Sequence, residues 1–342
     1  MQRGPGPEQA ETDRKLTVVW SQDPMWRRTA FERWFSGNGR RLAAAAFLVV
    51  AYTCVVLVVG ASLAEQLLKL PRRVLGGPDV IAAQAVAQRT NSDLSDEALR
   101  AADNAVLRAW WFVPRRHARG TVLVLHGQAD NRAAMLGLAE VLLGDHYRVL
   151  AADARAHGSS GGALATYGVL ERGDLRAWAD WAQRQFPDEC VFAAGASMGA
   201  ANLIQTLPDV PFCAAVADSP FADLPSLALG RIGARLHLPP VLHRAVAGPV
   251  VWAAMAYARV RHGVPLRDAS PIARFAGTRV PVLIIHGTAD REIPDADARA
   301  LAAANPRVVT LWLVPGAAHT QAWGAAPRTY PPRVLSFLRA HQ

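Results

Sequence analysis

Gly195-Ala196-Ser197-Met198-Gly199 stands between an apolar run, Cys190 to Ala194, and a second apolar run of helical character, Ala200 to Leu207. A serine in that setting sits on a sharp strand-to-helix turn that lifts its Oγ clear of the sheet and tolerates only small neighbours. Gly195 and Gly199 supply the room. A helix starting just after Ser197 also aims its first N–H groups and positive dipole end at the place where charge develops on an attacked carbonyl oxygen. The chemistry such a serine needs is a base to take its proton and a carboxylate to fix the base's tautomer. The five residues alone also describe a glycine-flanked serine in an ordinary turn, so the surrounding elements decide.

Four further segments have the form of a buried strand running into a polar loop. Thr121 to Leu125 leads into His126-Gly127-Gln128-Ala129-Asp130-Asn131, and a loop Asp153-Ala154-Arg155-Ala156-His157-Gly158-Ser159-Ser160 follows the next strand. Val280 to Ile285, β-branched and wholly apolar, ends in His286-Gly287-Thr288-Ala289-Asp290; Val308 to Val314 ends in Pro315-Gly316-Ala317-Ala318-His319. Wholly apolar short strands are those of a parallel sheet covered on both faces, so these loops are expected at one rim.

In the order serine, aspartate, histidine, these motifs resemble the α/β-hydrolase family over roughly residues 105–342. The resemblance implies an α/β fold with a mostly parallel, doubly wound sheet, and a triad of Ser197, Asp290 and His319. It also implies an oxyanion hole from the backbone N–H groups of Gln128 and Met198. The 153–160 loop resembles the family's Asp-x-Arg-Gly-x-Gly-x-Ser segment with Ala156 in place of glycine, which is mild wherever φ stays negative. Asp218, at the end of the strand Phe212 to Ala217, is the rival acid. Asp290 is preferred because its loop resembles the usual acid-bearing segment, whereas Asp218 is expected to bond local backbone. Of the ten histidines only His319 stands on the loop directly after the last expected strand. His126 and His286 precede a glycine at a strand end, where a ring packs or bonds to backbone, and His157 belongs to a structural loop.

A serine at the elbow excludes the dehalogenases and epoxide hydrolases of this fold, which use a carboxylate nucleophile. Acyl transfer remains, and the pattern is similar to the serine aminopeptidase, acyl-protein thioesterase and monoacylglycerol-lipase group. That implies a small-molecule or lipid-like acyl substrate, an ester or thioester. The alternatives are a peptidase, whose amino-terminus grip would come from Asp130, Glu171, Asp174 or Asp223, and a non-catalytic membrane-tethered binding module. No cofactor and no metal site is expected, since no two histidines stand at short helical spacing and the three cysteines are far apart. Cys190 and Cys213 begin neighbouring strands, where a bridge is awkward, and are expected as buried thiols.

Residues 42–60 carry no charge over about the length needed to cross a bilayer. They follow Arg40 and Arg41, and the flanking twenty residues hold five basic side chains before (Arg27, Arg28, Arg33, Arg40, Arg41) and three after (Lys69, Arg72, Arg73). That bias places the N-terminus inside and the catalytic domain outside the cytoplasm. Ser62-Leu63-Ala64 resembles a signal-cleavage site, but the preceding polar stretch is far longer than an ordinary n-region, so a retained single-pass anchor is preferred. The net charge of +9 comes almost wholly from arginine, lysine occurring only at positions 15 and 69, and no basic cluster with interleaved aromatics points to nucleic acid.

The chain therefore divides into a polar tail over 1–41, a span over 42–60, a helical connector over 61–104 and the hydrolase domain over 105–342. Within the tail, 25–35 reads as an interfacial helix or as disordered. Within the domain, 221–267 is an insertion of two short helices broken at Pro239-Pro240 and Gly248-Pro249, with an apolar underside and a basic outer face. It is either a substrate-selecting lid or a simple cover of the sheet. Oligomeric state has no sequence signal.

Overall fold

The computed structural model describes residues 1, 37–237 and 239–342. The interfacial helix expected over 25–35 lies outside them. Two units are distinguished, Met1–Val55 and Val56–Gln342. In the first, helix α1 (Gly37–Leu68) begins, and its side chains through this stretch, Leu42, Phe47 and Val50 among them, are exposed apolar groups. The helix is long and apolar enough to cross a membrane.

The second unit takes up the last turns of α1 and continues with α2 (Gly77–Arg89), β1 (Ser92–Arg100), β2 (Val106–Pro114), β3 (Thr121–Leu125), α3 (Leu136–Gly144), β4 (Arg148–Ala152) and α4 (Glu171–Gln185). Then come β5 (Val191–Ala196), α5 (Met198–Thr206), β6 (Ala215–Asp218), α6 (Leu224–Arg235), α7 (Pro240–His262) and α8 (Pro271–Phe275). The chain closes with β7 (Val282–Gly287), α9 (Asp295–Ala304), β8 (Val309–Val314), α10 (Ala322–Ala325) and α11 (Tyr330–Arg339).

The eight strands form one sheet in the order β1-β2-β4-β3-β5-β6-β7-β8, parallel except where β2 pairs with β1 and β4. Alternation of side chains across each strand builds two core layers. Leu123, Leu125, Ala193 and Ile284 face the layer of Trp178, Leu203 and Phe275, while Val122, Val124, Phe192 and Ile285 face that of Leu142, Tyr147 and Val334. Register then aligns the strand ends: Leu125 pairs with Gly195, Ala196 with Asp218, Asp218 with Ile285 and Gly287 with Val314. The loops that follow open on one rim, the usual place for a site in such a sheet.

Three sequence expectations change. The connector over 61–104 is helical only in part, because Ser92–Arg100 joins the sheet as an antiparallel edge strand. Its Asp93, Asp96, Glu97 and Arg100 hide the apolar alternation by which strands are read, and such charges are how exposed edges avoid further pairing. The helix break at Gly248-Pro249 is absent, since α7 runs through Pro249. A proline inside a helix costs about 3 kcal/mol, and here burial of Ala247, Val251, Ala254 and Ala258 against the body offsets it. Finally, Cys190 and Cys213 are joined in a disulfide with Cα atoms 5.8 Å apart. Both precede the ladder residues Val191 and Ala215, so the bridge escapes the geometry of paired strands. It closes a 23-residue separation. Cys190→Ser should lower the unfolding free energy by about 3 kcal/mol, read from denaturant melts, with Cys190→Ser/Cys213→Ser no worse; equal melts for wild type and variant would exclude the bridge.

Candidate active site

Ser197 joins β5 to α5 with φ 52° and ψ −117°, a left-handed conformation that costs a non-glycine residue of order 1–3 kcal/mol. The turn is held by its neighbours. The Ser197 N–H donates to the Asp218 carbonyl at 2.8 Å. A Cβ on Gly199 would lie 2.5 Å from the His126 carbonyl oxygen, and one on Gly195 2.7 Å from the Ala200 nitrogen, so neither position admits a larger residue. The close packing that requires these glycines brings the 126–131 loop against the start of α5.

His319 Nε2 stands 2.8 Å from Ser197 Oγ, and His319 Nδ1 2.7 Å from Asp290 Oδ2. With Nδ1–H donating to the carboxylate, Nε2 is left as the acceptor for the serine hydroxyl. Asp290 Oδ1 accepts from the backbone N–H groups of Glu292 and Ile293, each at 2.9 Å. Burial alone would raise this carboxyl, but hydrogen bonds from His286 and His319, then from Ile293 N–H, outweigh it and hold Asp290 well below the usual carboxylate range. The structure thus brings Ser197, His319 and Asp290 together in series.

His286 is the residue that sequence reasoning set aside. Its Nε2 lies 2.9 Å from the Ile293 carbonyl and 3.3 Å from Asp290 Oδ2, so the ring meets backbone as expected and also braces the carboxylate oxygen that His319 contacts. Burial lowers its basicity, yet the contact with Asp290 prevails and the net shift is upward. The spacing His286-x-x-x-Asp290 was its only signal.

Asp218, the rival acid, does not reach His319. Its Oδ1 accepts from Ser219 Oγ at 2.9 Å and its Oδ2 from the Tyr330 hydroxyl at 3.0 Å, side-chain hydroxyls rather than the backbone partners expected. Both oxygens are occupied in a fully buried setting, and burial raises its pKa. Ser219 Oγ in turn accepts from the Thr320 N–H at 3.2 Å, which ties this group to the loop carrying His319.

Met198 is the first residue of α5, where N–H groups lack intrahelical partners. Gln128 lies on the wall of a cavity of about 640 Å³ that also exposes Ser197 and His319. Met135, Leu138 and Trp323 give that cavity an apolar side, and Asp130, Arg231 and Glu292 a polar mouth. The 153–160 loop supports the site from below. Asp153 accepts from the N–H groups of Arg132 and Ser159, and the Ala154 N–H donates to His126 Nε2. Ala156 has φ 60° rather than the negative value expected, so its replacement of glycine carries strain.

The carboxylates considered for gripping an amino terminus are mostly engaged elsewhere. Glu171 accepts from Thr166 and Gly168, Asp174 forms a two-point pair with Arg155, and Asp223 caps α6 through the Ser226 N–H. Asp130 alone lines the cavity, and it is paired with Arg73.

Comparisons with known proteins point to the same fold. Residues 116–251 match the family model described as serine aminopeptidase, S33. The uncharacterized protein YqkD of Bacillus subtilis is 27% identical over 224 residues, 64% of this chain and 70% of that protein. The uncharacterized protein Rv2307c of Mycobacterium tuberculosis is 29% identical over 232 residues, 66% and 72% of the two chains. Among solved structures, the Pyrococcus furiosus esterase Pf2001 superimposes with a TM-score of 0.64 at 27% identity, covering 80% of this chain and 98% of that one. The α/β-hydrolase GrgF of Penicillium, with a TM-score of 0.57 at 16% identity over 73% of this chain and 99% of its own, shares the fold. Sheet order, elbow and these likenesses together give the chain a fold of the α/β-hydrolase type.

Proposed function

We propose that this hydrolase is a membrane-anchored serine esterase or thioesterase working through a Ser197–His319–Asp290 triad and an acyl-enzyme. The observation that carries the reading is the series of hydrogen bonds from Asp290 through His319 to Ser197, opening on a cavity with one apolar side. His319 Nε2 takes the Ser197 proton as Oγ attacks the acyl carbon, and Asp290 stabilises the imidazolium. The oxyanion is held by the N–H groups of Met198 and Gln128. Collapse expels an alcohol or thiol that takes the proton from His319, and water, activated by the same imidazole, then releases the acid. The likeness to a Pyrococcus esterase supports the ester reading, and the engagement of Glu171, Asp174 and Asp223 tells against a peptidase. A panel of p-nitrophenyl esters of increasing chain length, set beside aminoacyl p-nitroanilides, tests it: ester turnover with an acyl-length preference is expected, and anilide turnover alone would reverse the reading.

The span of residues 42–60 and its basic flank support an anchor with the N-terminus in the cytoplasm. The disulfide supports the same direction, because such bridges persist in oxidising compartments. Protease added to intact spheroplasts should digest the C-terminal domain and spare the first forty residues. Protection of the domain would reverse the orientation, and a mature N-terminus at Glu65 would mean that the span is cleaved.

A further inference from the structure

The outer surface of α7 is not the purely basic face expected of it. At 3.6 residues per turn, Val241, Ala245, Trp252 and Val260 fall within about 100° of one another, and Val241, Trp252 and Val260 are 84%, 69% and 87% exposed. Leu236, Leu242 and Val246 add to this apolar surface near the α6–α7 turn, where Arg235 and Arg244 are also exposed. Contiguous apolar area of this kind on a soluble face marks an interaction surface, and a tryptophan bordered by arginines is the composition of a membrane interface.

The position of this face relative to α1 selects the partner. Gly60, the last residue of the 42–60 span, packs so closely that an added Cβ would meet the Ala253 Cβ at 2.6 Å and the Val250 carbonyl at 3.0 Å. Five residues further along α1, Glu65 accepts hydrogen bonds from the Tyr257 hydroxyl at 2.9 Å and meets His262 Nε2 at 2.7 Å. Over Gly60 to Glu65 the two helices therefore run in the same sense. Trp252, beside Ala253, stands level with the end of the span. Ala64 and Leu68 are fully buried in the same cluster as Val251, Ala254 and Ala258, so the level is fixed by packing.

We infer that the α6–α7 turn and the exposed face of α7 seat in the headgroup layer of an anionic bilayer, holding the cavity mouth at the membrane so that its acyl substrate is drawn from the lipid phase. Arg231 connects the two features, since it projects from α6 into the cavity mouth. Arg235 and Arg244 meet anionic headgroups, and Val241 and Leu242 the acyl boundary. This rests on reading residues 42–60 as a retained membrane span.

The test uses the full chain reconstituted into mixed phosphatidylcholine and phosphatidylglycerol vesicles, with and without bromine at shallow acyl positions. The emission difference between wild type and Trp252→Phe isolates Trp252, and brominated lipid should reduce it at least about twofold. An unquenched Trp252 in a chain that resists alkaline extraction overturns the inference while leaving the anchor in place. Extraction of the chain by alkali removes the anchor and the inference with it. An unquenched Trp252 whose emission follows the protein-to-lipid ratio assigns the face to a second copy of the chain and also overturns it. As an independent reading, Val241→Asp/Leu242→Asp should leave turnover of a water-soluble ester unchanged and slow an ester embedded in vesicles by about tenfold or more; equal rates on both would contradict delivery from the bilayer.

Discussion

Replacing Ser197 by alanine should abolish about four orders of magnitude or more of ester hydrolysis while the protein keeps its melting behaviour. His319→Ala should cost as much, and the double substitution no more than either alone, because a nucleophile without its base and a base without its nucleophile are equally idle. Removing Oγ leaves the elbow's fold-determining contacts intact. The Ser197 N–H to Asp218 bond and the close approach of Gly199 to the 126–131 loop involve backbone only. Circular dichroism melts beside a p-nitrophenyl ester assay check both halves, and substantial residual turnover in the folded variant would remove Ser197 from the chemistry.

The second large effect separates the two candidate acids. Asp290→Asn should reduce kcat by about 10,000-fold, because an amide that donates toward Nδ1 favours the tautomer whose Nε2 carries the proton. The same change exposes His286 to loss of its carboxylate partner at 3.3 Å, so some loss of stability is expected as well. Asp218→Asn touches only the Ser219 and Tyr330 hydroxyls, and should cost about 1–3 kcal/mol of stability with activity roughly within tenfold of wild type. Side-by-side kinetics and denaturant melts of the two variants decide. An inactive Asp218→Asn beside an active Asp290→Asn would exchange their roles.

What the sequence made legible followed from strong local signals. Strands β3, β5, β6 and β7 are short, apolar and buried on both faces, so their C-terminal loops, and with them Ser197 and Asp290, were placed by pattern, while the grouping of these two with His319, on the loop after β8, came from the family resemblance. The features missed are those in which tertiary contact overrides a local rule. Strand β1 is written in charged residues because it lies at the edge, and Pro249 stays helical because the buried side of α7 packs on the body. The Cys190–Cys213 bridge depended on where the ladders begin, a matter of one or two residues that hydropathy does not fix. Ala156 at φ 60° and the bracing of Asp290 by His286 depend on loop conformations that residue type alone leaves open. The exposed apolar face of α7 was hidden for another reason: its valines and Trp252 are indistinguishable in sequence from the residues that line the underside.

The most direct test of the central claim is covalent capture of the nucleophile. A fluorophosphonate should phosphonylate the full-length protein at one site, and peptide mass spectrometry should place the adduct on the Oγ of Ser197. Labelling should be lost in His319→Ala, in which Ser197 remains but has no base. An unlabelled but folded wild-type protein, or an adduct on any other serine with Ser197 unmodified, would contradict the account.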